Sequence, residues 1–161
     1  MSLDQPETAQ ILAFLGEIGL PVEIAPLAED SFLPGIRVVG GRLQLAPDEP
    51  FHPGDLLHEA GHIAVTAPAE RDSLDAVSND PGEEMAAIAW SYAASVAIGL
   101  DPAVLFHPEG YRGGSAALIR AFTGGGGVGV PLLEWFGMTT GRRNAERTGA
   151  APYPHMSRWL R

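Results

Sequence analysis

Five residues constrain this chain more than any others: His58-Glu59-Ala60-Gly61-His62, set between the apolar pairs Leu56-Leu57 and Ile63-Ala64. The run has helical character, with Pro53 suited to its first turn and Pro68 beyond its end. In a helix, residues four apart lie one above the other, separated by about 6 Å along the axis. His58 and His62 therefore share a face, and Glu59 is the next residue round. Leu56, Leu57, Ile63 and Val65 predict a buried helix over 53–66. Three polar side chains in a buried helix are costly without a partner, so the fold has to bring one to that face.

His-Glu-x-x-His on a helix offers two zinc ligands and a carboxylate general base. A catalytic zinc takes three protein ligands and keeps one position open, so a third ligand has to come from elsewhere. Asp80 caps, and Pro81 opens, a second helix over 81–98, nearly free of charge after Glu83-Glu84 and ended by Gly99. Its alanines allow close approach to another helix. The polar loop 68–82 is long enough to turn back, and a carboxylate entering an apolar interior needs a partner. Glu84, followed on its face by Ile88, Ser91 and Ser95, is preferred as third ligand. Glu83, followed by Ala87, Trp90 and Ala94, is the alternative, and His107 and His155 are rivals. Asp55, one turn before His58, reads either as a carboxylate supporting a ligand or as a helix-dipole acid.

Composition narrows the chemistry. The chain has 161 residues, no cysteine and no lysine among its ten basic residues. Thiolate metal sites, cysteine nucleophiles, Schiff-base lysines and a phosphate-loop lysine are thereby excluded. The formal net charge of −10 opposes nucleic-acid binding and an anionic membrane surface. Neither a signal peptide nor a run long enough to span a membrane is evident, so a soluble, cytoplasmic protein is expected. The residue usage is of the kind associated with GC-rich bacterial genomes. The length suits one domain, 1–161.

The remaining elements follow from periodicity and punctuation. Residues 6–18 read as a helix with Ile11, Leu12, Leu15 and Ile18 in phase, ended by Gly19 and Pro21. Val22–Leu27 is a candidate strand. Ile36–Val39 and Arg42–Ala46 flank Gly40-Gly41 and read as a hairpin whose second strand, taken as an edge, is a candidate for pairing with an extended peptide. Asp101-Pro102 starts a short helix through Phe106, Gly114–Phe122 is helical, and Pro131–Phe136 forms one or two turns. The glycines of 124–129 read as a flexible connection or, second, an active-site loop. Residues 139–154 read as loop, with Arg142, Arg143 and Arg147 solvated, and Trp159 and Leu160 dock the tail.

The motif, followed by an acid opening an alanine-rich helix, resembles the gluzincin-type zincin metallopeptidases, and more narrowly the ImmA/IrrE-like group. The likeness covers roughly residues 36–100. It departs from that group's pattern in the second helix, where Trp90-Ser91-Tyr92 stands and an expected Asn is missing. The resemblance implies an α+β, zincin-like fold: a small, mostly antiparallel sheet packed on the motif helix and a second buried helix, with a helical C-terminal part. It implies a zinc peptidase acting on a peptide or protein substrate. Zn2+ would be held by His58, His62 and Glu84, with Glu59 as general base. Tyr92, Tyr111, Tyr153, His107, His155 and Arg112 are candidate oxyanion donors. The alternatives are a non-proteolytic zincin-fold module that binds metal or serves regulation, and a helical domain without metal.

Overall fold

The computed structural model describes residues 2–28 and 32–161. Its helices are α1 (Pro6–Ile18), α2 (Pro53–Val65), α3 (Pro68–Arg71), α4 (Pro81–Ile98), α5 (Pro102–Leu105), α6 (Ser115–Thr123), α7 (Val130–Trp135) and α8 (Arg142–Thr148), with 3-10 turns at Ser2–Asp4 and Tyr111–Gly113. Its strands are β1 (Val22–Ile24), β2 (Ile36–Val39) and β3 (Arg42–Leu45). The fold is α+β and dominated by helix. Among the described residues, no helix is long and apolar enough to cross a membrane.

Proline and glycine set the helix ends. Pro6, Pro53, Pro81 and Pro102 each open a helix, where a missing N–H costs nothing. Gly19 and Gly99 close α1 and α4 in the left-handed conformation. The Asp80 carboxylate accepts the Glu83 N–H at 2.9 Å and caps α4.

The sheet has the order β1-β3-β2. β2 and β3 form the expected hairpin, with Val39 opposite Arg42 and positive φ at both Gly40 and Gly41. β1, however, pairs parallel with β3, so the sheet is mixed rather than mostly antiparallel. β3 is consequently the interior strand, with no free edge for a peptide. β1 is shorter than expected: the Ala25 N–H still reaches the Leu45 carbonyl, but Pro26 has no N–H to continue the ladder.

α2 and α4 form the centre of the core. Leu56, Leu57, Ala60, Ile63 and Ala64 of α2 are fully buried, as are Ala86, Ala87, Ala89, Trp90, Ala93 and Ala94 of α4. Their backbones meet at Gly61: a β-carbon placed there would stand 2.8 Å from the Ala87 carbonyl oxygen. The Ser91 hydroxyl, buried at the same crossing, donates to that carbonyl at 2.6 Å. Leu43 and Leu45 of the sheet and Ile11 and Leu15 of α1 complete the core.

The C-terminal third departs further from expectation. Residues 142–148, read as loop, form α8, whose only buried residue is Ala145. With no apolar face, α8 carries no helical period. Glu134 of α7 holds its start by accepting from the Gly141 N–H and the Asn144 amide. Residues 68–71, also read as loop, form α3. The tail docks as expected: the Trp159 carbonyl accepts the Trp90 indole N–H at 2.9 Å, and its ring stands edge-on to Phe14 at 4.9 Å.

Candidate metal centre

The helical spacing of His58 and His62 brings their Nε2 atoms to 3.2 Å. The close α2–α4 crossing at Gly61 then delivers Glu84 from the first turn of α4. Its Oε1 lies 3.2 Å from His58 Nε2 and its Oε2 lies 2.8 Å from His62 Nε2. His62 is buried, and His58 and Glu84 are half-buried. One ligand atom from each of the three residues lies within 4.8 Å of the others.

The donor set fits zinc. Bonds of about 2.0–2.1 Å in a tetrahedron put neighbouring ligand atoms roughly 3.3 Å apart, and the two imidazole nitrogens already stand at that spacing. Hydrogen bonds from His58 and then His62 hold the Glu84 carboxyl far below the usual carboxylate range. It is therefore ionised, the form a cation requires. Glu83 stands outside the group, and so do the rival ligands. His107 Nε2 is bound to Asp55 Oδ1 at 2.8 Å, and His155 is exposed.

Glu59 sits one residue round from His58, half-buried, and its carboxylate has no hydrogen bond or ion pair to any described residue. Burial raises its pKa, an effect moderated by His62 and His58. A carboxyl so placed accepts a proton more readily than one in water.

Asp55 makes no hydrogen bond to His58. It ties α2 to the segment after α5 through His107, whose ring stacks on His52 at 3.9 Å. His52 in turn pairs with Glu109 at 2.8 Å. This polar stack secures the start of the 107–113 segment, which carries Tyr111 over the site. Tyr111 and Arg112 both adopt the left-handed conformation, with φ of 54° and 52°, rare for residues with a β-carbon. The Tyr111 ring packs edge-on to His58 at 5.5 Å. Its hydroxyl is buried and has no hydrogen-bond partner among the described residues. Burial, then the nearby Asp55, Glu84 and Glu59 carboxylates, raise its pKa and keep it a donor. Of the six sequence candidates for an oxyanion donor, Tyr111 is brought against His58. Tyr153 instead donates to the Ala89 carbonyl, and Tyr92 packs against Phe106 and Phe122, which also touch each other. The Asp55–His107 pair that supports this segment had no signal in the sequence, because the two residues lie on different elements.

Compared with protein-family models, curated proteins and solved structures, the chain matches none of them.

Proposed function

We propose that this chain is a zinc-dependent peptidase of the zincin kind, with Zn2+ held by His58, His62 and Glu84. The observation that carries the reading is the convergence of two imidazole Nε2 atoms and one carboxylate beside Glu59, a half-buried carboxylate without a protein partner. Zinc bound by such a donor set supplies Lewis acidity, acidifying water and polarising a carbonyl.

The protein's own groups do the rest. Glu59 takes the proton of the attacking water on a carboxylate oxygen and returns it to the leaving amine. The Tyr111 hydroxyl donates to the oxygen of the substrate carbonyl as negative charge develops there. A peptide substrate suits a chain whose formal charge of −10 disfavours nucleic acid.

Elemental analysis of purified protein with a peptide-library digest tests the proposal. The expected result is one zinc per chain and cleavage of at least one peptide. Glu59→Gln keeps the zinc and loses the cleavage, whereas His58→Ala loses both. Full zinc retention by His58→Ala refutes the site. Stoichiometric zinc with no cleavage across the library refutes the peptidase reading.

A further inference from the structure

We propose that the cavity beside the middle of α4, walled by the glycine loop 124–129 and the segment 152–154, binds a small aromatic monocarboxylate. This site is separate from the metal centre. The cavity has a volume of about 580 Å³, within the range of ligand-sized sites. None of His58, Glu59, His62 or Glu84 lines it. Tyr92, its contribution from α4, lies eight residues beyond Glu84, about 12 Å along the helix axis.

The chemistry of the walls defines the occupant. Tyr92, Phe122 and Tyr153 present three rings, with centroids 4.9 Å apart for Tyr92–Phe122 and 6.5 Å apart for Phe122–Tyr153. Such a wall suits a flat apolar body. The glycine loop closes against it: a β-carbon at Gly127, where φ is +132°, would stand 2.2 Å from the Phe122 ring. The run serves close approach here, which a linker does not need.

The polar groups are few and specific. Tyr92 is 8% exposed, yet its hydroxyl has no hydrogen-bond partner among the described residues. Tyr92 lines the cavity, and its unpartnered hydroxyl is available to an occupant. Arg142 and Arg143 line the cavity from its exposed side, and neither pairs with a carboxylate among the described residues. Two unpaired guanidinium groups in an acidic protein form a local site for an oxyanion, which each can hold bidentately. Glu134 also lines the cavity, but its carboxylate already accepts from Asn144 at 2.6 Å and Gly141 at 2.9 Å. Its negative charge favours a monoanion over a dianion.

Calorimetric titration with 2-naphthoate and its uncharged analogue 2-naphthamide tests the proposal, with backbone amide shifts at Gly125–Gly127 locating the site. Zinc-free His58→Ala protein provides a second arm, since a carboxylate also binds zinc. The expected result is saturable one-to-one binding of 2-naphthoate to both proteins, with 2-naphthamide at least tenfold weaker. The double variant Arg142→Ala/Arg143→Ala, altered only at exposed positions, weakens 2-naphthoate at least tenfold. Absence of saturable binding, equal affinity for the amide, or unchanged affinity in the double variant overturns the proposal. So does loss of binding in zinc-free His58→Ala. Because that arm needs no metal, failure here is distinguishable from failure of the peptidase reading.

Discussion

Replacing Gly61 with alanine adds one methyl group to the face of α2 that meets α4. The new carbon lands 2.8 Å from the Ala87 carbonyl oxygen, 2.9 Å from the Ser91 hydroxyl and 3.2 Å from the Trp90 ring. All three neighbours are fully buried, so none can swing aside. Ordinary contact begins near 3.4 Å, and the two helices must therefore part by roughly 0.6 Å in a close-packed interior. Overpacking of this kind costs about 1–3 kcal/mol, while alanine in place of glycine in a helix returns about 1 kcal/mol. The expected net loss is about 1 kcal/mol, a fall in Tm of roughly 2–4 °C at this chain length. Glu84 travels with α4, away from His58 and His62, so zinc affinity should fall about tenfold, as when a ligand's support is disturbed. Scanning calorimetry of metal-free protein reads the first effect, and competition with a chromophoric chelator reads the second. A Tm that rises by a few degrees would mean that helix propensity outweighs contact, and would refute the claim that Gly61 sets the α2–α4 spacing.

Three further outcomes follow from single contacts. Tyr111→Phe removes a hydroxyl with no protein partner, so Tm should stay within a degree or two, while kcat on a cleaved peptide falls about 10²–10³-fold and zinc is retained. Gly129→Ala would place a β-carbon 2.0 Å from the Met85 carbonyl oxygen at a φ of +84°. Strain and overlap together should cost about 2–4 kcal/mol in urea unfolding. Asn144→Ala deletes the strongest of the hydrogen bonds that hold Glu134 below its ordinary pKa, so a carbon-13 titration of that carboxyl should shift upward.

Much of the helical frame was legible because proline and glycine mark it. Pro53 and Pro81 place the starts of α2 and α4, and the four-residue step from His58 to His62 needs only helical geometry. Glu84 was legible as a carboxylate that had to find a partner inside an apolar interior. What escaped depends on groups that meet only in three dimensions. The parallel pairing of β1 is carried by three residues, too few to show a period. α8 has one buried residue, so its sequence alternates with nothing. The selection of Tyr111 among six candidates rests on two left-handed residues that neither glycine nor asparagine announces. The glycine run reads as a flexible connection or an active-site loop, because only the ring of Phe122 and the backbone at Met85 reveal its close packing.

The interior position of β3 also gives the sheet an order of assembly. Its pairing with β2 spans a two-residue turn at Gly40-Gly41 and closes on the scale of about 1–10 μs typical of hairpins. Its pairing with β1 requires the whole intervening segment to be looped out first, which is slower. Loop-closure cost alone therefore predicts that the hairpin forms first and β1 adds to it. Until β1 arrives, the N–H and C=O groups of Leu43–Leu45 stand open along one side. The folded protein hides this edge, and a chain with β1 undocked would present it. Aggregation through strand pairing should therefore track the fraction of chains with β1 undocked rather than the surface of the folded molecule.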